Sequence, residues 1–166
     1  MSFEKMDIYF DIQTEMGSLL RVALSCYDLA TLQYFTSDPA VLTLNFYDVS
    51  LRRLGEDGAA GQRALNAVSR TLASFLDDNE DAVLCFYCDE QTDIRRNDVS
   101  ITPQEYRSRL FSAMFDRYVR SHKLTDVINY RVKIVKDDVP HFAHMICRRT
   151  HLRAAEIVGD ILIEPK

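Results

Sequence analysis

The sequence lacks most of the motifs that mark the commonest enzymes and membrane proteins. Its five glycines are scattered, so it contains no glycine-rich loop of the kind that cradles a phosphate group. Its longest apolar run, residues 82–88, is seven residues long, whereas a membrane-spanning helix needs about 20. Residues 1–17 carry four acidic side chains and one lysine, unlike the basic start of a secretion signal. We therefore expect a cytoplasmic protein that does not enter a membrane.

The cysteine and histidine spacings do not predict a metal site. Each of the four cysteines lies inside an apolar, strand-like stretch, at Cys26, Cys85, Cys88 and Cys147. Cys85 and Cys88 would share one strand and point to opposite faces, and no second pair exists to complete a four-cysteine zinc site. His141, His144 and Cys147 recur every three residues, but a strand would scatter them over both faces as well. We expect reduced core thiols and no metal or cofactor.

Length and composition indicate one globular domain that covers residues 1–166. Hydrophobic residues make up 47% of the chain and charged residues 27%, as in ordinary globular domains. A chain of this size buries about 68–70% of the surface that its unfolded form exposes. That burial is enough to form a core without disulfides.

Alternation of apolar and polar residues predicts most of the strands. Inward-facing residues at 8–12, 20–26 and 42–46 indicate three strands in an antiparallel meander. The stretch 82–88 is apolar on both faces, which predicts a central strand covered on both sides. A C-terminal hairpin would turn at residues 136–140. Its returning strand would place Ala143, Met145 and Cys147 inside and His144, Ile146 and Arg148 outside.

Helical spacing predicts three helices between and after these strands. Apolar residues recur at intervals of three and four from Leu65 to Leu76. The second helix begins at Thr102-Pro103-Gln104-Glu105, a capping sequence with proline at the first helical position, and runs to about Ser121. The last helix covers Leu152 to Leu162. The order βββ-α-β-α-ββ-α predicts an α+β fold, in which a mostly antiparallel sheet carries the helices on one face.

Charge is unevenly distributed along the chain. Residues 1–90 contain six basic and fifteen acidic side chains, a net charge of −9. Residues 91–153 contain thirteen basic and seven acidic side chains, a net charge of +6. This segregation indicates either a basic surface for an anionic partner or two halves that neutralise each other in the fold.

The basic surface would combine the capped helix, its N-terminal flank and the outer face of the hairpin. Its candidate binding residues are Arg95, Arg96, Arg107, Arg109, Arg117, Arg120, Arg131, Lys133 and Arg148. Arginine suits this role because its guanidinium pairs with carboxylates and phosphates through two parallel hydrogen bonds. The alternative is a set of exposed ion pairs, each contributing about 0–1 kcal/mol.

An acidic cluster follows the apolar strand at Asp89, Glu90 and Asp93. Carboxylates at the exit of a central strand could hold a magnesium ion or act as acid–base groups, which would make the protein a metal-dependent hydrolase. The same residues are also common in solvated turns. Both interpretations stay open from the sequence.

One segment resembles a known family. It contains Cys88-Asp89, then Asp93 and Arg95, then Arg107, Arg109-Leu110-Phe111 and Phe115. This pattern resembles an uncharacterised family of small bacterial proteins, although Met114 stands where that family has tryptophan and residues 97–104 read as an insertion. The resemblance implies a bacterial cytoplasmic origin and an α+β fold, and it brings no activity. It also links Asp89, Asp93, Arg95 and Arg109, which we interpret as a salt-bridge network at the strand–helix junction.

Charge segregation without catalytic motifs predicts a non-enzymatic interaction module. We expect it to bind a protein with an acidic surface through the basic helix–hairpin surface. Nucleic acid is the second candidate partner, because local positive charge permits phosphate contacts despite the net charge of −5. A second copy of the chain is a further candidate.

Overall fold

The computed structural model describes residues 7–14, 17, 19–54, 62–88 and 100–163, without the side chains of Arg53 and Gln62. Within them six strands form one sheet: β1 (Ile8–Gln13), β2 (Leu19–Cys26), β3 (Asn45–Leu54), β4 (Ala82–Cys88), β5 (Val127–Lys136) and β6 (Val139–Arg148). The helices of this part of the chain are α1 (Leu29–Phe35), α2 (Pro39–Leu42), α3 (Gln62–Asp78), α4 (Pro103–Ser121) and α5 (Leu152–Ile163). A short 3-10 turn, Arg149–His151, leads into α5. None of the described helices is both long and apolar enough to cross a membrane.

The strands follow the order β1-β2-β3-β4-β6-β5 across the sheet. Four neighbouring pairs are antiparallel, and only β3 and β4, which α3 connects, run parallel. The α+β class, the mostly antiparallel sheet and the predicted order of the larger elements are confirmed. The structure adds the short helices α1 and α2 between β2 and β3.

The prediction that the helices lie on one face is wrong, because helices cover both faces of the sheet. On one face, which we call the α4 face, α3 and α4 pack over residues such as Leu84 and Phe86. On the other, the α5 face, α2 and α5 pack over residues such as Val83 and Met145. The reason lies in β4, whose alternate residues are apolar on both sides and must be covered on both.

Two capped helices displace the predicted start of the third strand. Asp28 accepts a hydrogen bond from the Thr31 amide and begins α1, and Asp38 accepts one from the Ala40 amide and begins α2. Leu42 therefore ends a helix, and β3 begins only at Asn45. These side-chain caps outweigh the short alternation of apolar residues that predicted a strand from residue 42.

The C-terminal hairpin is longer and tighter than predicted. Asp137 and Asp138 both have positive φ, 53° and 63°, as a two-residue type I′ turn requires, so the predicted five-residue turn is wrong. Ala143, Met145 and Cys147 face inward as predicted. His144 and Ile146 were predicted to lie outside, and this is also wrong, since α3 and α4 cover that face and leave them 0% and 4% exposed. Arg148, on the same face, is partly buried.

Candidate functional site

A chain of polar side chains crosses the interface between α4 and the hairpin. The Ser108 Oγ lies 2.8 Å from His144 Nε2, and His144 Nδ1 lies 2.9 Å from Asn129 Oδ1. At the two ends, Arg131 Nε lies 2.7 Å from Ser108 Oγ and Asn129 Nδ2 lies 3.3 Å from the Ser112 hydroxyl. We call Ser108, His144, Asn129 and Ser112 the polar relay.

With His144 neutral and Asn129 Oδ1 facing it, one arrangement of donors and acceptors satisfies every contact of the polar relay. The Nε of Arg131 can only donate, so Ser108 Oγ accepts a hydrogen bond from it, and the Ser108 hydroxyl donates a hydrogen bond to His144 Nε2. His144 then carries its proton on Nδ1 and donates to Asn129 Oδ1, while the Asn129 amide nitrogen donates to Ser112 Oγ. The tautomer of His144 is therefore assigned from its neighbours.

The electrostatics of the relay agree with a neutral histidine. Burial, together with the positive charge of Arg131, lowers the pKa of His144 to about 4. A protonated ring would have to donate from Nε2, where it now accepts from Ser108. At neutral pH His144 is thus an uncharged acceptor and donor inside the protein.

Ser108, His144 and Asn129 are arranged in the order of a nucleophile, a base and an orienting amide. A substrate cannot reach them, however, as catalysis would require. Ser108 and His144 are both 0% exposed. The Ser108 oxygen also receives the Arg131 N–H bond, which opposes the gain of nucleophilic character. In this arrangement no substrate carbonyl can reach Ser108, so the relay joins α4 to β5 and β6 and orients Arg131.

Arg131 is held in one orientation while its terminal nitrogens stay available. Its Nε is bound to Ser108, and its guanidinium carbon lies 4.3 Å from the centre of the Phe142 ring. Arg131 is nevertheless exposed, and within the described part of the chain its two terminal nitrogens have no hydrogen-bond partner. Lys133, two residues further along β5, is also exposed, and no described carboxylate pairs with it. We call Arg131 and Lys133 the β5 basic pair.

Close packing on the opposite face also fixes β5. Gly159 of α5 lies so near the strand that a Cβ atom there would come within 2.8 Å of the Tyr130 ring and 3.0 Å of Val132. Glycine is needed at this position because only its missing side chain allows this approach. β5 is therefore held by α4 through hydrogen bonds and by α5 through van der Waals contact.

The contacts of α4 fix its direction over the hairpin. Near its N-terminus, Gln104 donates to the Pro140 carbonyl at 3.2 Å, close to the hairpin turn. Further along, Ser112 accepts from Asn129, nearer the start of β5. The C-terminal half of α4 therefore lies at the opposite end of the hairpin from Lys133.

The predicted basic residues do not form one continuous surface. Arg117 follows Ser108 by nine positions, or two and a half helical turns, and so points away from the sheet, while Arg120 lies in the last turn. Arg109 pairs with Glu105 of its own helix at 2.8 Å. Arg148 pairs with Asp126 at 3.0 Å and also donates to the Leu76 carbonyl. Arg107 lies half-buried on the flank of α4 that carries Phe111.

Several predicted site residues lie outside the described part of the chain. They are the basic residues Arg95 and Arg96 and the acidic residues Asp89, Glu90 and Asp93. Of the predicted salt-bridge network, only Arg109 is described. Both the network and the metal-dependent hydrolase site stay predictions.

The cysteines are free thiols in the described structure. Burial raises the pKa of Cys85, and it raises that of Cys147 to about 11, so both are protonated at neutral pH and are poor nucleophiles. His141 stacks on Tyr87 while His144 bonds to Ser108, so these two histidines serve separate contacts. Among the described residues no three histidine, cysteine or acidic side chains are grouped to hold a metal ion.

A groove lies between α3 and α4 on the α4 face. Leu72 and Leu76 line one side, Phe111 and Phe115 the other, and Ile146 lies among the lining residues. The lining is almost wholly apolar, so it offers few groups that would orient a substrate. The groove extends the hydrophobic core outward and holds no arrangement of catalytic groups.

Sequence reasoning missed the polar relay because it identified helices and their buried positions from the spacing of apolar residues. The buried positions of α4 are instead Gln104 and Ser108, four residues apart. The available signal was the polar alternation of Asn129 and Arg131 along β5, facing a helix with serines at 108 and 112. No protein-family model matches the chain, and a search of curated proteins found no significant match.

Proposed function

We propose that the protein is a non-enzymatic interaction module that binds an acidic partner protein through the β5 basic pair. The observation that supports this most directly is the fixed orientation of Arg131, whose Nε is bound at 2.7 Å to the buried Ser108. An exposed arginine normally loses rotamer freedom when it forms a contact. Arg131 has already lost that freedom, so a carboxylate gains a fixed donor fork at a smaller entropic cost.

The contacts of the predicted basic surface favour binding of a partner by the β5 basic pair over neutralisation of its charge within the protein. Two other cations of the predicted surface already have partners, in the Arg109–Glu105 and Arg148–Asp126 pairs. Within the described residues the β5 basic pair has none, so a partner carboxylate would replace water rather than an existing salt bridge. Arginine anchors of this kind are frequent among the residues that dominate interface energies.

A paired charge-reversal experiment tests the proposal. The tagged protein is used for affinity capture from its native cells, with nuclease, alongside Arg131→Glu/Lys133→Glu and the matched control Arg117→Glu/Arg120→Glu. Both variants change the charge equally, but the control changes it away from β5. We expect a protein partner that the control retains and the β5 variant loses. Equal capture by all three proteins would refute the site.

The same experiment separates the other candidate partners. Nucleic acid that is lost on nuclease treatment, with an affinity that falls steeply with salt, would replace the protein partner with a nucleic-acid one. The bacterial cytoplasmic setting implied by the sequence resemblance stays a prediction, as does the hydrolase site at Asp89, Glu90 and Asp93.

A further inference from the structure

We propose that the acidic partner is bound as an extended segment that adds a strand to the outer edge of β5. This inference rests on the proposed function and specifies how that site recognises its partner. The segment would alternate acidic and apolar residues, with the acidic side chains facing the β5 basic pair.

The edge of β5 has the length and the chemistry that strand addition requires. β5 is ten residues long and is the last strand of the sheet, so among the described residues no strand pairs with its outer edge. An edge strand presents unpaired N–H and C=O groups, which an extended peptide can satisfy by main-chain hydrogen bonds. Exposed lysine and arginine on such an edge oppose pairing with a like-charged strand, but favour an acidic one.

The spacing of the basic pair determines the pattern of the partner. Arg131 and Lys133 are two residues apart on one face, which is about 6.6–6.8 Å along a strand. Acidic residues at alternate positions of an added strand recur at the same distance on the same face. The intervening positions would lie beside Tyr130, Val132 and Ile134, which belong to the apolar cluster of the α5 face. Apolar side chains fit there as cross-strand neighbours.

The edge is also rigid enough to act as a template. The polar relay holds β5 from the α4 face, and the close approach of Gly159 holds it from the α5 face. A partner strand therefore pairs with a backbone that is already ordered, so the conformational entropy lost on binding is mainly that of the partner strand itself.

A second copy of the chain fits the edge less well than a separate acidic segment does. Two β5 edges would bring like charges together. The described acidic side chains near the opposite edge strand, β1, are already engaged, since Asp11 pairs with Arg21 at 2.9 Å and Asp7 accepts hydrogen bonds from Tyr9 and Ser25. Their use in a new interface would first require these contacts to break.

The test uses the full-length protein and synthetic ten-residue peptides that alternate glutamate and valine. Binding is measured by fluorescence anisotropy for the parent peptide, for a peptide with the glutamates grouped at one end, and for two peptides N-methylated at alternate residues. An added strand directs every second N–H toward β5. We expect one N-methylated peptide to lose at least about tenfold in affinity, while the other binds like the parent and the grouped peptide binds more weakly.

The outcomes separate this inference from the function on which it rests. No binding of the parent peptide, or equal binding of both N-methylated peptides, would overturn strand addition. If the β5 charge-reversal variant still loses its captured partner, the interaction module stands with another mode of contact. If capture is also unaffected, both proposals fail. Self-association of the protein that the parent peptide does not disrupt would assign the edge to a second copy and overturn the inference.

Discussion

The two edges of the sheet differ in how their charges are used. At one edge, β1 has six residues, and Arg21 on the neighbouring strand bridges Asp11 through contacts of 2.9 and 3.1 Å. At the other edge, β5 has ten residues, and its cations Arg131 and Lys133 have no acidic partner among the described residues. The pairing of these charges therefore distinguishes the two edges, and it makes β5 the edge that the proposed interaction would use.

The anchoring of the two edges differs as well. Arg21 and Asp11 are exposed, each side chain being nearly 40% accessible, so their pairing contributes little. Arg131 is instead linked to groups that are fully buried, at Ser108 and His144. Mutations at the two edges should therefore have very different consequences.

The largest effect is expected from His144→Leu. The substitution leaves the Ser108 hydroxyl and the Asn129 amide oxygen without their buried partner, and each unsatisfied group costs about 1–3 kcal/mol. We expect the free energy of unfolding to fall by about 3 kcal/mol in urea titrations. A loss below about 1 kcal/mol would mean that the polar relay does not stabilise the α4–sheet interface.

Acidification should lower the free energy of unfolding through the titration of His144. The pKa of His144 is near 4 when folded and near 6.5 when unfolded, so the unfolded chain binds more protons between these values. The stability contributed by the neutral ring is complete above pH 6.5 and declines as the pH falls toward 4, by up to about 3 kcal/mol. Urea titrations from pH 8 to 4 measure the decline. His144→Gln, which cannot titrate, should lack this part of the slope, and equal slopes would contradict the assignment.

Gly159→Ala should disturb the opposite face of β5. The added methyl group would meet the Tyr130 ring at 2.8 Å, and the cost of overpacking exceeds the gain in helix propensity, leaving a loss of about 1–2 kcal/mol. Thermal unfolding measures the difference. Asp160→Ala, at the exposed neighbouring position, serves as the control and should stay within about 0.5 kcal/mol of the parent.

Ser108→Ala tests whether the affinity for the partner depends on the orientation of Arg131 as well as on its charge. The variant keeps the guanidinium but removes the oxygen to which its Nε is bound. We expect affinity for the acidic partner or the alternating peptide to fall about threefold to tenfold, or about 0.7–1.4 kcal/mol. Arg131→Lys should lose at least as much, because an ammonium cannot reproduce the two parallel hydrogen bonds. Unchanged affinity in both variants would show that charge alone is recognised.

The smallest effect is expected from Asp11→Asn at the β1 edge. The Arg21 guanidinium beside Asp11 lowers the pKa of that carboxyl group, but both side chains are open to solvent. We expect only a small loss of stability at low salt, which disappears at high salt because the exposed pair is screened. A loss as large as that of His144→Leu would remove the contrast between the two edges.

Local signals in the sequence determined much of the fold. The capping sequence before α4 is confirmed, because the Thr102 hydroxyl accepts from the Glu105 amide at 3.2 Å and Pro103 begins the helix. The doubly apolar stretch 82–88 is confirmed as β4, in the middle of the sheet and buried on both sides. These features could be predicted because the interactions behind them join residues that are close in the chain.

Which helices cover which residues of the sheet, and which charges are paired, was determined only by the tertiary structure. Alternation along β6 separates two sets of residues, but it cannot tell that α4 covers the set containing His144, so this residue was placed outside. In the same way, the sequence shows that residues 91–153 are basic, but not that Arg148 is paired with Asp126 while Arg131 is bound to Ser108 and open on its other side. Burial and charge pairing depend on distances between residues 20 to 40 positions apart in the chain. Packing of the helices on the sheet sets these distances.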